Sequence, residues 1–378
     1  MLIGQPEIAI EGRNAELRAN VRRRSDNLIL RYQLPVEQSG WFSADRCDGL
    51  VTGLLFQAMT MNEEIRTEAP MSSKLYHSMQ HFLIPMLARA FPNLQPIRIH
   101  PAALVDDPAP GKGVATGFSG GVDSFASIVQ HLATEESPSH RVSHFLFHNA
   151  GSHSTGNVDA ARRLFWQRYE TLKPFAEEIG IPFVPVDSNV SELFPIDFIR
   201  MHPALNASFL LVLQQQFRRY YYASTYKYAD CGVDYSDDAA RLDPLAFHMY
   251  STESLDCVST GAQHSRVDKT RLVTEFEPSR RYLNVCVNPA FEGRNCSVCF
   301  KCRRTLMTLE LLGKAEDYRE VFDLEKFRAT KNPYLARVLR YKRGSFDAEI
   351  ADLFREQGKG AWRALFNLRR QWDQLAWK

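Results

Sequence analysis

Six residues, Ser119-Gly120-Gly121-Val122-Asp123-Ser124, constrain this chain more than any others. They follow a buried apolar strand, Val114-Ala115-Thr116-Gly117-Phe118, and open a helix running from Ser124 to about His131. A strand that passes through a glycine-rich turn into a helix start is the geometry that cradles phosphate. The glycines let the backbone come close, and the unpaired N–H groups of the first helical turn point at the anion. Ser119 and Ser124 add hydroxyl donors, and Asp123 can cap the helix or help hold a phosphate-bound Mg²⁺. The Gly-x4-Gly-Lys-Ser/Thr spacing of the Walker loop is absent.

The surrounding chain alternates strand and helix. After the first pair come a strand at Val142–His148, a helix from Val158 to Ile179, a strand at Pro182–Val186, a helix at Ala204–Phe217 and a strand at Tyr220–Thr225. This rhythm predicts an α/β fold with a doubly wound, mainly parallel sheet and helices on both faces. Ligands in such sheets bind beyond the C-terminal strand ends. Phe118 to Ser124 lies at one such end, and Asn149-Ala150-Gly151-Ser152-His153, Asp187-Ser188 and Ser224-Thr225 lie at others. A Pro/Gly/Asp cluster at 106–111 marks a boundary. The expected organisation is a small N-terminal α+β module (1–110), the loop-bearing domain (111–312) and a helical C-terminal extension (313–378). The N-terminal module reads as strands at Glu7–Ile10 and Leu28–Tyr32, helices from Asp45 to Met59 and from Ser72 to Phe91, and a returning strand at Pro96–His100. It carries no catalytic motif and reads as a partner, dimer or substrate-restricting surface. The extension reads as helices at Ala315–Arg328, Pro333–Tyr341, Asp347–Glu356 and from Ala361 onward.

A chain of 378 residues suits two or three compact units, and its 44% hydrophobic and 24% charged content is that of an ordinary globular protein. The formal net charge of +2 gives no global electrostatic case for nucleic acid. No apolar run is long enough to span a membrane, and no basic-then-apolar N-terminal segment reads as a secretory signal. Seven cysteines, an odd number with four of them clustered, favour a reducing, cytoplasmic compartment and a metal site over a disulfide framework.

The clustered cysteines, Cys286, Cys296, Cys299 and Cys302, have the spacing C-x9-C-x2-C-x2-C. Four thiolates so placed can close a tetrahedral shell around Zn²⁺ with no position left for water, which makes the metal structural. The C-x2-C steps suit a knuckle whose backbone N–H groups steady the sulfurs. Lys301, Arg303 and Arg304 would offset thiolate charge, and Cys302 precedes a helix read from Arg304 to Leu312. An iron–sulfur cluster or redox-active cysteines are the alternatives that cysteine number leaves open.

The Ser-Gly-Gly-Val-Asp-Ser run resembles the PP-loop of the ATP pyrophosphatases, and with the downstream knuckle it resembles the 7-cyano-7-deazaguanine synthase family. Asn295-Cys296-Ser297-Val298-Cys299-Phe300-Lys301-Cys302-Arg303-Arg304-Thr305 is similar to that family's Cys-Gly-x-Cys-x-x-Cys-x-x-Arg stretch. Gly151-Ser152-His153 looks like its Gly-Gln-x-His element, Ser265-Arg266-Val267-Asp268-Lys269 takes the place of its Ser-Lys segment, and Asn206 that of its Arg-Asn helix start. The resemblance covers roughly residues 112–312. The family's Tyr-Pro-Asp-Cys-Arg substrate loop is missing, and His248–Cys257 stands in its place. The resemblance implies an adenine nucleotide α-hydrolase-like fold and cleavage of ATP, with Mg²⁺, between its α and β phosphates. Some of its divergent relatives resemble components of bacterial anti-phage operons in which a deazaguanine is attached to a protein.

On this reading Phe118, Ser119, Gly120, Gly121, Val122, Asp123 and Ser124, with His148, Asn149, Gly151 and His153, hold the nucleotide. Ser119, Asp123, Ser124, Lys269 and Glu253 are the candidate catalytic residues: Asp123 beside Mg²⁺, Lys269 as the cation, Glu253 as a base or a partner for a purine-like ring. Cys286, Cys296, Cys299 and Cys302 hold zinc. The expected activity is an AMP-forming ligase that adenylates a carboxylate or amide and yields an amide or nitrile, acting on a 7-deazaguanine-type molecule. A partner protein is the expected acceptor in the defence setting, and a homodimer is a further expectation. Two other readings stand beside it: a PP-loop enzyme that thiolates tRNA, and a non-catalytic nucleotide-binding subunit of a complex.

Overall fold

The computed structural model describes residues 1–23, 26–106, 109–152, 157–194, 197–233, 238–291, 293–340 and 346–357. The chain forms two compact units, one of residues 1–119 and 123–263, the other of 120–122 and 264–378. The expected boundary at 110 therefore falls inside the first unit, and the one expected at 312 inside the second.

The strands of the first unit are β1 (Leu2–Ile3), β2 (Glu7–Glu11), β3 (Asn14–Arg22), β4 (Asn27–Pro35), β5 (Ile65–Thr67), β6 (Met71–Ser72), β7 (Ile99–His100), β8 (Leu104–Val105), β9 (Gly113–Gly117), β10 (His144–His148), β11 (Phe183–Ser188), β12 (Phe217–Ala223) and β13 (Asp256–Thr260). Eleven of them make one large, mostly parallel mixed sheet in the order β13-β12-β9-β10-β11-β4-β3-β1-β5-β7, with β2 on β3; β6 and β8 pair separately. From β13 to β11 every pairing is parallel. β4 then joins β11 antiparallel through Gln33–Asp187 and Tyr32–Ser188, so residues 1–35 extend the same sheet. From β9 the chain winds outward to β10 and β11 on one side, then returns to place β12 and β13 on the other. This reversal makes the C-terminal end of β9 the topological switch point, where open parallel sheets leave a crevice for ligands.

Six strands escaped the sequence patterns, four of them (β1, β5, β6 and β8) only two or three residues long. In β3 the inward residues are Ala15, Leu17, Ala19 and Val21, and two alanines weaken the apolar alternation that marks a strand. β13 overlaps the segment read as a substrate loop. The helix expected at Ala204–Phe217 runs instead from Phe198 to Leu211 and continues through a buried Pro203, while Phe217 opens β12 opposite Gly113.

That helix packs on the almost wholly buried helix Asp48–Met61. Glycines permit the close approach. A Cβ on Gly49 would sit 2.4 Å from Val212 Cγ1 and 2.7 Å from the Ser208 carbonyl, and one on Gly53 would sit 2.6 Å from the Tyr32 hydroxyl. Phe118 packs edge-on or tilted into a ring cluster with Phe125, Phe145, Phe175 and Phe183.

In the second unit the helix Phe300–Leu311 packs against the helices Arg266–Thr274, Leu324–Val338 and Phe346–Glu356. Residues 315–328 are not one helix. A short 3-10 turn at Ala315–Tyr318 precedes a new helix start, where the Asp323 carboxylate accepts the Lys326 N–H at 3.0 Å. The segment read as a separate helix at Pro333 is the second half of Leu324–Val338, with Pro333 inside it. Helix Phe346–Glu356 matches expectation; the helix read from Ala361 onward lies outside the described residues. Among the described residues no helix is long and apolar enough to cross a membrane.

Candidate functional site

The glycine-rich run lies where the sequence reading puts it, between β9 and the helix Val122–Ile128. Gly120 has φ +72°, a left-handed conformation that a side chain would strain. Asn284 donates its backbone N–H to the Gly120 carbonyl at 2.7 Å, within the second unit. In the first unit Ser119 donates to the Ser124 hydroxyl at 3.4 Å, so two hydroxyls face one another across the turn. Ser119 is exposed, Asp123 half-buried and Ser124 buried. Phe118 does not reach toward a ligand: its ring is in the aromatic core.

His148 ends β10. Its Nδ1 lies 3.2 Å from Asn206 Oδ1, while Asn206 Nδ2 donates to the His202 carbonyl at 2.7 Å. Nδ1 is therefore the donor, the ring is the neutral Nδ1–H tautomer, and Nε2 is a buried lone pair with no hydrogen-bond partner among the described residues. The ring stacks 4.8 Å from Phe209. Burial lowers its pKa to about 4, the Asn206 hydrogen bond opposing. The next residue, Asn149, donates to Asp187 Oδ1 at 2.6 Å, and Arg162 Nε donates to Asp187 Oδ2 at 2.9 Å. Asn149 thus ties the ends of β10 and β11 together. Gly151 has φ +90°, which explains a glycine at that turn. His153 lies outside the described residues.

Glu253 is placed otherwise than a base would be. Its carboxylate accepts the Lys74 N–H at 2.6 Å and the Ser72 hydroxyl, at the start of the helix Ser73–Ser78. It serves as a remote cap on that helix N-terminus, favoured by the helix dipole. Such a tie between residues 72 and 253 leaves no mark in local sequence. A second polar cluster also escaped it: His202 Nδ1 lies 2.6 Å from the Tyr222 hydroxyl, His202 Nε2 lies 3.6 Å from Asp238 Oδ1, and Tyr226 donates to Asp238 Oδ2 at 3.0 Å. Burial raises the Asp238 carboxyl, but its hydrogen bonds, led by that with His202, more than offset this and hold it below the ordinary value.

Lys269 is 1% exposed, on the helix Arg266–Thr274. Ser265 and Asp268 form a reciprocal capping box at its start, so Asp268 is committed to the helix.

The knuckle is the best-formed site of the second unit. The four sulfurs of Cys286, Cys296, Cys299 and Cys302 all lie within 4.8 Å of one another, with Cys286–Cys299 and Cys296–Cys302 each at 3.9 Å. A tetrahedron with Zn–S bonds of about 2.3 Å has edges of about 3.8 Å. Backbone N–H groups reach the sulfurs as a knuckle requires: Cys299 N–H to Cys296 Sγ at 3.1 Å, Asn288 and Cys296 N–H to Cys286 Sγ at 3.4 Å, Cys302 N–H to Cys299 Sγ at 3.5 Å. The set fits a metal ion such as zinc. The helix begins at Phe300, earlier than expected, with Cys299 as its N-cap and Cys302 inside the first turn. Hydrogen bonds from the neighbouring sulfurs of Cys286 and Cys302 push the Cys299 thiol down, and the dipole of the helix start acts in the same direction. Arg304, expected to offset thiolate charge, lies over the Phe346 ring at 4.5 Å and within 3.9 Å of Asp347.

Neither a protein-family model, nor a curated protein, nor a solved structure matches the chain.

Proposed function

We propose that the chain is a PP-loop ATP-dependent ligase, which adenylates a carboxylate or amide and joins it to nitrogen. The observation that carries the reading is the loop Ser119–Ser124 with its left-handed Gly120, at the switch point of five parallel strands. A backbone shaped in this way fits a polyphosphate, and the paired Ser119 and Ser124 hydroxyls supply donors beside it. The four-sulfur knuckle is the second support, because the resemblance joins both motifs in one family.

In the proposed reaction a substrate carboxylate oxygen bonds to the α-phosphorus of ATP and the bond to the β-phosphate breaks. Pyrophosphate leaves, and nitrogen then displaces AMP from the acyl carbon to give the amide. Backbone N–H groups of residues 120–124 and the two serine hydroxyls would hold the departing pyrophosphate, so the work is positioning and charge stabilisation. Asp123 would hold Mg²⁺ against the phosphates. Zinc at the cysteines would be structural. The substrate proposed is a 7-deazaguanine-type carboxylate, with ammonia or a partner protein's amine as the nitrogen source. Seven free thiols fit a reducing, cytoplasmic setting.

The test is a mass-resolved product assay with Mg-ATP and 7-carboxy-7-deazaguanine, with and without ammonia, on wild type and Asp123→Ala. Pyrophosphate and AMP appearing with an amide or nitrile mass, and lost in the variant, support the ligase. Pyrophosphate release that is unchanged in Asp123→Ala would sink the PP-loop assignment.

A further inference from the structure

The near-neutral chain is a sum of two opposed parts. Residues 264–378 carry 24 Lys and Arg against 15 Asp and Glu, a formal +9, whereas residues 1–263 carry 22 against 29, a formal −7. A divalent ion among four thiolates would remove only two of those positive charges. Strong asymmetry of this kind points to a polyanionic partner for the basic part.

Among the described residues of the second unit several basic side chains are already paired. Arg271 with Asp268, Arg280 with Asp317, Lys326 with Asp323, Arg337 with Asp347 and Arg355 with Asp352 all form ion pairs. Among the described residues neither Arg294 nor Arg303 meets a carboxylate, and Arg303 Nε is buried without a hydrogen-bond partner. Lys301 is exposed beside them. Two large apolar side chains are exposed on the same short segment, Phe300 at 53% and Val287 at 40%. Each of these five residues is within two positions of a ligand cysteine, and the cysteines converge on one point. Chain geometry therefore holds them within about 8 Å of a ligand Cα.

Cations that can meet phosphates, next to an exposed aromatic ring on a rigid knuckle, are the two elements of single-strand recognition: backbone charge and a stacking platform. We propose that the described knuckle residues, 286–291 and 293–303, form a binding surface for single-stranded nucleic acid, with Phe300 stacking on a base and Arg294, Lys301 and Arg303 on phosphates. An exposed ring favours a single strand over a duplex, because bases in a duplex are already stacked. The proposal is independent of the ligase reading, since it uses no residue assigned to ATP.

The full-length protein, zinc-loaded, is titrated against fluorescent oligo-uridylate and oligo-thymidylate of about 20 nucleotides at low and moderate salt. Binding should weaken with salt. Arg294→Gln/Lys301→Gln should reduce the slope of log affinity against log salt by about 1.4, since each single-strand phosphate contact contributes about 0.7. Phe300→Ala should weaken binding about tenfold and leave that slope unchanged, because stacking releases no counterions. Metal content and thermal midpoint are measured for each variant. Where Phe300→Ala alters them, Phe300→Leu serves, removing the aromatic face while keeping apolar bulk. Absence of binding, equal binding by folded variants, or displacement by polyglutamate as effective as by oligonucleotide would each overturn the proposal.

Discussion

His148 makes a quantitative prediction that also separates a core role from a ligand contact. Its Nδ1–H is held by Asn206, its ring lies on Phe209, and protonation would place a second N–H at the buried Nε2, which has no acceptor among the described residues. The folded pKa is about 4, against an ordinary 6.5. A depressed histidine contributes stability that is fully present above its unfolded pKa and is lost as pH falls through the folded value. Between pH 6.5 and 4 the interval of roughly 2.5 pK units corresponds to about 3 kcal/mol. His148→Gln cannot titrate. It loses ring stacking at every pH, which appears as a constant offset. The wild-type advantage should therefore shrink by about 3 kcal/mol from pH 7 to pH 4. Urea midpoints of both proteins at several pH values measure it, and taking the difference cancels other acid-sensitive groups such as His131, whose pKa is likewise lowered to about 4 by burial. A wild-type-minus-variant difference that does not change with pH would refute the tautomer and burial argument.

Asp48 should show the opposite pH dependence. Burial raises its carboxyl to about 6 although Gln214 and the Ser72 N–H donate to it, so its favourable contribution is present below pH 4 and fades as pH rises through 6. Asp48→Asn should therefore gain on wild type by about 3 kcal/mol between pH 4 and pH 8, measured by the same denaturation series. Gly49→Ala should destabilise by about 1–3 kcal/mol or prevent folding, because the new methyl meets backbone at Ser208 and Val212; calorimetry measures the loss, and an unchanged midpoint would contradict the packing. Cys299→Ser should lose bound metal together with protease resistance of residues 264–357, read by elemental analysis and limited proteolysis; a metal-free variant as resistant as wild type would remove the structural role.

How much of this was legible in the chain depends on the range of the interaction. The strand–turn–helix around Ser119–Ser124, the long helix Val158–Glu178 and the four-cysteine knuckle are written within a few residues of one another, and each is found where the pattern puts it. Pro203 and Pro333 misled because a proline usually marks a helix start or break, whereas here tertiary packing carries both helices through it. β4 reads as a half-exposed strand, yet nothing in Leu28–Tyr32 says that it will pair antiparallel with β11 and append the N-terminal strands to the parallel sheet.

The same distinction governs the candidate site residues. A histidine or carboxylate at a strand end can serve chemistry or architecture, and which it serves is decided by partners far away in sequence. Glu253 finds Ser72 and Lys74, Asn149 finds Asp187, and His148 finds Asn206. Glu253 and Asn149 spend polar atoms that a ligand would need, and the His148 ring is fixed by its Nδ1–H bond and the contact with Phe209, so these three act as scaffold in the described arrangement. The glycine-rich loop differs in kind. Its proposed donors are backbone N–H groups, which the left-handed Gly120 and the helix start orient whatever side chains lie nearby. For this reason Gly120→Ala should impair nucleotide binding more than His148→Gln does at neutral pH. The variants act on the loop backbone and on the core respectively, and equilibrium titration with an ATP analogue compares them directly. The reverse order would move the phosphate site away from the loop.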